Sequence, residues 1–380
     1  MQAGPHFAMV AGEASGDLLA GLLLDGLKQM WPELVAHGIG GAQMQKRNFE
    51  AWWPSEKLAV RGYVEVLRHY REIVGIRTAL QTRLLKNRPN LFVGVDAPDF
   101  NLDLEFQLKT QGIKTVHYIC PSIWAWRADR VEKIRQSVDH VLCLFPFEPQ
   151  LLAQHGIEAT FVGHPLANVI PMEPDKLAAR KALGLAIDSP VLALLPGSRA
   201  SEIKYLGPRF FAAAKLLAAN NLKLQIVLPA VPALEAQIRQ LAVAAGVGSM
   251  VLILQGQSHR VLEACDVTLI ASGTATLEAA LYKRPMVIAY NMNALSWQIM
   301  RRKKLQPWVG LPNILCGEFV VPELLQDQAT PHALASEVQN WLDHPEKEQT
   351  LNRRFSVLHA ELQRDTGTLA SHAIEKVLAR

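Results

Sequence analysis

The chain has 380 residues, 49% of them hydrophobic and 19% charged, with a formal net charge of +4. That length exceeds one ordinary core and favours two domains, and that balance excludes a disordered chain. The start, Met1-Gln2-Ala3-Gly4-Pro5-His6, lacks the basic end and apolar run of a secretory signal, and Leu241 to Leu254 is shorter than the ~20 residues of a spanning helix, so a cytoplasmic chain without a transmembrane anchor is expected.

Short apolar runs alternating with helical patterns predict parallel α/β units. In chain order the expected strands are 7–11, 91–95, 115–119, 140–144 and 160–162, then 191–195, 224–228, 251–254, 267–270 and 286–289. The proline-bearing stretch from Gly163 to Lys176 reads as a hinge. The expected division is an acceptor-side domain over 1–168, a nucleotide-sugar domain over 169–355, and a C-terminal helix over 356–380 able to pack back on the first domain. Cys120, Cys143, Cys265 and Cys316 are scattered among apolar segments and read as buried free thiols. No His or Cys cluster has zinc spacing, and dispersed basic residues with no recognised module argue against nucleic acid.

Polar motifs follow the predicted strands, where such sheets place ligands. After the first come Gly12-Glu13-Ala14-Ser15-Gly16-Asp17, small residues that expose amides at a helix start but lack the dinucleotide fingerprint. Glu13, Ser15 and Asp17 exceed the polarity a helix cap needs. The strand 91–95 runs into Asp96-Ala97-Pro98-Asp99-Phe100-Asn101. A carboxylate at such a mouth suits a general base, with Asp96 favoured over Asp99, while either acid could simply cap the next helix. Pro121-Ser122-Ile123-Trp124-Ala125-Trp126-Arg127 is compatible with an acyl or sugar site and equally with a packed wall.

In the second half, Pro196-Gly197-Ser198-Arg199 can grip a diphosphate through amides and a guanidinium. Ser272-Gly273-Thr274-Ala275-Thr276 opens a helix onto a phosphate, and Glu278 one turn later can accept ribose hydroxyls. With Thr274 as cap, Glu278 lies one residue beyond the capping-box position.

The ordered set AGEASGD, VGVDAPDFN, PSIWAWR, VGHP, LLPGSR, ASGTATLE and LPN, from Val10 to Asn313, resembles the bacterial lipid-A-disaccharide synthase family. The resemblance implies a GT-B fold, two doubly wound Rossmann-like domains facing across a cleft. It implies an inverting transfer from UDP-2,3-diacylglucosamine to 2,3-diacylglucosamine 1-phosphate, giving a β-1,6-linked disaccharide 1-phosphate and UDP. Carried over, Asp96 is the base and Arg199 neutralises the departing diphosphate. Ser198, the Ser272, Gly273 and Thr274 turn, Glu278 and Asn313 contact the donor, and Glu13, Ser15, Asp17, Asp99 and Asn101 lie near the reacting sugars. With no Asp-any-Asp motif, neither metal nor cofactor is expected.

Substrates bearing acyl chains imply peripheral contact with the cytoplasmic face of the inner membrane. Lys57–Arg88 carries eight basic residues against Glu65 and Glu72, among apolar residues at partly helical spacing, and Arg301-Arg302-Lys303-Lys304 is a second basic patch. Both are compatible with interfacial helices and equally with ordinary surface helices. Self-association is left open. Two other readings are a UDP-N-acetylglucosamine epimerase-like enzyme and a non-catalytic UDP-sugar sensor, which would keep Arg199 and Glu278 without requiring Asp96.

Overall fold

The computed structural model describes residues 4–12, 14–58, 63–125, 128–293, 297–298, 302 and 305–380. The chain divides into two compact units, Met1–Pro165 with Leu362–Arg380, and Leu166–Glu361.

The first unit is built on seven parallel strands: β1 (His6–Ala11), β2 (Val35–Gly40), β3 (Phe49–Pro54), β4 (Leu91–Val95), β5 (Lys114–Tyr118), β6 (His140–Cys143) and β7 (Ala159–Phe161). Their order is β3-β2-β1-β4-β5-β6-β7. Phe7 to Ala11 and Leu91 to Val95 are wholly buried, because helices cover both faces of such a sheet and leave no solvated side to alternate with. The second unit repeats the plan with β8 (Val191–Leu195), β9 (Gln225–Ala230), β10 (Val251–Gln255), β11 (Val267–Ala271), β12 (Met286–Tyr290) and β13 (Glu323–Leu325), in the order β10-β9-β8-β11-β12-β13. Both sheets are doubly wound, as expected.

In each sheet the strand order reverses once, between β1 and β4 and between β8 and β11. The connections leave to opposite faces there and open a crevice at the carboxyl ends, where open α/β sheets bind ligands. Four of the predicted motifs follow these four strands.

The sequence reading omits β2, β3 and β13. β2 is Val-Ala-His-Gly-Ile-Gly, poor in strand-formers, and β13 has only three residues. The last helix, Thr366–Leu378, belongs to the first unit and packs on Ala14–Met30. A Cβ on Gly26 would stand 2.2 Å from the Gly367 Cα, so glycine permits that close crossing.

Of the two readings of Lys57–Arg88, the described part of the helix fits the one with its apolar face in the core. The helix Tyr63–Asn87 buries Ile76, Leu80 and Leu84 in the first unit's core with Phe92, Phe100, Leu104 and Leu108, so its described apolar stripe faces protein. Arg77 is paired with Asp103 at 2.5 Å, and Arg83 lies 3.6 Å over the Trp52 ring. The side chains of Val64, Val66, Leu67 and Tyr70 lie outside the described residues, as do Ile299, Met300, Arg301, Lys303 and Lys304. Among the described residues no helix is long and apolar enough to cross a membrane.

Candidate active site

In the first unit, Asp96 follows β4 directly. Its amide continues the ladder by donating to the Tyr118 carbonyl (3.0 Å), and then Asp96 and Ala97 adopt left-handed φ of 50° and 43°. Two successive non-glycine residues in that region form a strained turn that other groups must hold. Asn101 holds it: fully buried, it donates through Nδ2 to the Asp96 carbonyl at 2.8 Å and to those of Val95 and Val10 at 3.4 Å. Asp96 is half-buried at the β1–β4 reversal. Asp99, in the first turn of the helix Pro98–Thr110, is exposed and paired with Arg130. The two acids therefore have separate surroundings, and Asp99 is engaged by a cation.

Across the same reversal, Gly12 packs close enough to Ala97 that an added Cβ would lie 3.1 Å from the Ala97 Cβ. Ser15 is exposed at the start of the helix Ala14–Met30. Asp17 departs from the expected substrate contact. It is buried and accepts from the amides of Gly41 and Gln43 (both 2.8 Å) and Met44 (3.2 Å), capping the short helix Ala42–Gln45. Glu13 lies outside the described residues, as do Trp126 and Arg127.

Trp124 favours the packed-wall reading. It is buried, edge-on to Phe145 and Phe147, and donates through Nε1 to Glu148 Oε1 at 2.9 Å. Glu148 Oε2 accepts from the Phe145 amide (3.0 Å), and burial pushes this carboxyl up to about 8. Ligand atoms of Cys120, Cys143 and Glu148 lie within 4.8 Å of one another. The separation of those residues in sequence conceals this group, the described residues' arrangement that could hold a metal. Burial pushes the Cys143 thiol up as well, so both groups favour their neutral, protonated forms.

In the second unit, Arg199 is the N-cap residue of the helix Ala200–Asn220, directly after the loop that leaves β8. Its Nη1 donates to Glu202 Oε1 at 2.7 Å, while Glu202 Oε2 accepts from the amides of Ser198 (2.9 Å) and Arg199 (3.3 Å). Gly197 has φ 123°, and a Cβ there would stand 2.4 Å from Glu202 Oε2; glycine admits the carboxylate. Ser198 is exposed. Sequence reasoning assigned Glu202 no role, although its position three residues after the N-cap is the signal of a capping carboxylate.

At the other side of the β8–β11 reversal, Gly273, not Thr274, is the N-cap of the helix Thr274–Leu281, and it has no side-chain cap. Gly273 and Thr274 are exposed, and Ser272 Oγ donates to the Val309 carbonyl at 3.1 Å. The helix start so presents its amides, with the positive end of its dipole, to an anion. Glu278 Oε2 lies 3.3 Å from His259 Nε2, a neighbour that belongs to none of the sequence motifs. Asn313 differs from the expected donor contact: fully buried, it donates to the Val321 carbonyl (2.9 Å) and Glu323 (2.8 Å) and accepts from the amides of Val320 and Val321. Glu323 in turn accepts from the Val309 and Gly310 amides, so Asn313 braces the segment on which Ser272 leans.

A family model for lipid-A-disaccharide synthetase matches residues 7–374. The lipid-A-disaccharide synthase of Albidiferax ferrireducens is 66% identical over 376 residues, covering 98% of this chain and 97% of that protein. Among solved structures, the glycotransferase of kitacinnamycin superposes with TM-score 0.65 at 17% identity, covering 99% of this chain and 100% of that one. The UDP-GlcNAc 2-epimerase of Neisseria meningitidis, bound to UDP-GlcNAc, gives 0.65 at 11%, with 99% and 100% covered. These structural likenesses speak for the fold alone, and the fold is that of the GT-B class. Within that class, the chain belongs to the lipid-A-disaccharide synthetase family. The epimerase reading thus has a likeness of fold behind it, but not one of family.

Proposed function

We propose that the chain transfers the diacylglucosaminyl group of UDP-2,3-diacylglucosamine to the 6-hydroxyl of 2,3-diacylglucosamine 1-phosphate, with inversion at the anomeric carbon. The observation that carries this reading is the placement of one reactive motif set at each strand-order reversal. A half-buried carboxylate, Asp96, stands at β1–β4; Arg199 and an uncapped helix start stand at β8–β11.

The first unit then takes the acceptor. Asp96 accepts the proton of the 6-hydroxyl as that oxygen bonds to the donor's anomeric carbon, and the bond from that carbon to the diphosphate breaks. The electron pair leaves with UDP, whose growing charge meets the Arg199 guanidinium and the amides at the start of Thr274–Leu281. Glu278 accepts from the ribose hydroxyls. Ser15 lies beside the acceptor. Asp17, Asn101 and Asn313 act through the loops they brace, and Asp99 through its pair with Arg130. Fixed cationic and dipolar groups supply the charge stabilisation, and the sequence has no Asp-any-Asp motif, so the transfer needs no divalent ion. Undiminished turnover in EDTA is expected; loss in EDTA with recovery in magnesium would contradict it.

Acyl chains on both substrates place the encounter at a bilayer surface, the cytoplasmic face of the inner membrane. The Ile76–Leu84 stripe is committed to the core, so contact falls to other surface. The donor-site assignment is tested by calorimetric titration with UDP. Arg199→Ala and Glu278→Ala are expected to weaken binding by about ten-fold or more, the scale of a lost charge-assisted hydrogen bond, and Asp96→Asn to leave it unchanged. Equal affinity in all four proteins would overturn the assignment.

A further inference from the structure

We infer that His259 is a positioning residue of the nucleotide site: it holds one oxygen of Glu278 so that the other is presented to the ribose. This deepens the reading of Glu278 as the ribose acceptor and rests on it.

Past the end of β10, Gly256 and Gln257 both take left-handed backbone, φ 64° and 60°. This turn starts the helix Ser258–Ala264 at once and puts His259 in its first turn. The helix packs against Thr274–Leu281, which carries Glu278 and is followed by its C-cap residue Tyr282, four residues beyond Glu278. Residues four apart lie on one face of a helix. The His259 ring meets both: Nε2 stands 3.3 Å from Glu278 Oε2, and the ring is edge-on to Tyr282 with centroids 5.8 Å apart. The side chains of His259 and Glu278 are 35% and 18% exposed, so the pair reaches solvent at its rim.

A glutamate has three rotatable side-chain bonds, and ordering it when a ligand arrives costs affinity. An imidazole set against Tyr282 orders it beforehand through Oε2 and leaves Oε1 for the ligand. The Glu278 carboxylate, with a smaller contribution from Glu263 on the imidazole's own helix, outweighs burial and raises the His259 pKa. The groups facing the ring are therefore Glu278 and Tyr282 across the helix pair and Glu263 beside it, and the cation is favoured.

A clamp that merely joins two helices would affect every nucleotide alike. A positioning residue affects only those with ribose hydroxyls. The test is calorimetric titration of the full chain with UDP and with 2′,3′-dideoxy-UDP, for wild type, His259→Gln, Glu278→Ala and the double variant. His259→Gln is expected to raise the Kd for UDP by about three- to ten-fold and to leave that for the dideoxy analogue unchanged. The double variant should lose no more than Glu278→Ala alone, since the two act as one unit. In turnover the loss should fall on donor KM and spare kcat. Wild-type UDP affinity should decline as pH rises through the imidazole titration, and His259→Gln should flatten that slope. Equal weakening of both nucleotides, or unchanged UDP binding in His259→Gln beside a clear loss in Glu278→Ala, overturns the inference and spares the donor-site reading. Unchanged UDP binding in Glu278→Ala removes both.

Discussion

Polar residues of the same motif divide into those exposed toward a ligand and those spent on the loop itself. Asp17 uses its carboxylate on three backbone amides, and Asn313 uses both ends of its amide. Sequence motifs do not separate the two kinds, because a brace one turn from a ligand contact has the same residue type and spacing. Asp17→Ala should therefore act on the fold. A loss of about 1–3 kcal/mol in denaturant unfolding is expected, with kcat retained per folded molecule. A stable variant with abolished turnover would instead make Asp17 a substrate contact. Glu148 carries a prediction of pH dependence. Its folded pKa is raised above the ordinary 4.5 to about 8, so its contribution to stability is full below pH 4.5 and is lost as pH rises toward 8. Glu148→Gln should flatten that part of the stability profile; a wild-type profile equally flat over pH 5–8 would contradict the buried-acid account.

At the scale of elements, ten of the strands were legible because buried parallel strands are short apolar runs ending in glycine or polar residues. β2 and β3 were not, since glycine, histidine and tryptophan carry no such run, and the reversal at β1–β4 was invisible without them. The helix Tyr63–Asn87 was legible as a helix but not in what its apolar face meets. Its basic and apolar spacing fits an interfacial helix and a core-facing helix equally, and only the packing of Ile76, Leu80 and Leu84 decides for the core. Leu80→Ala should cost about 2–5 kcal/mol of unfolding free energy and leave co-sedimentation with anionic vesicles unchanged. Reduced vesicle binding at undiminished stability would return the stripe to the membrane. The loop Pro196–Arg199 is likewise an element with a single solution: Gly197→Ala brings a Cβ against Glu202, and a marked loss of UDP affinity is expected.

For the whole molecule, two doubly wound sheets allow two chemically different strand-order reversals, one holding the Asp96 carboxylate and one holding Arg199 and an uncapped helix start. A single-displacement transfer requires that division, since the proton leaves the acceptor while negative charge appears on the donor. The family was legible from the motif set before any geometry; the pairing of Arg199 with Glu202 and of Glu278 with His259 needed three dimensions. The most direct test of the central claim is mass-spectrometric detection of product from both diacylglucosamine substrates in mixed micelles, for wild type and Asp96→Asn. Disaccharide 1-phosphate and UDP from the wild type, with turnover lowered by roughly 10²–10⁴-fold in Asp96→Asn, is the predicted result. Undiminished turnover in Asp96→Asn would contradict the role given to Asp96, and no disaccharide from the wild type would contradict the reaction itself.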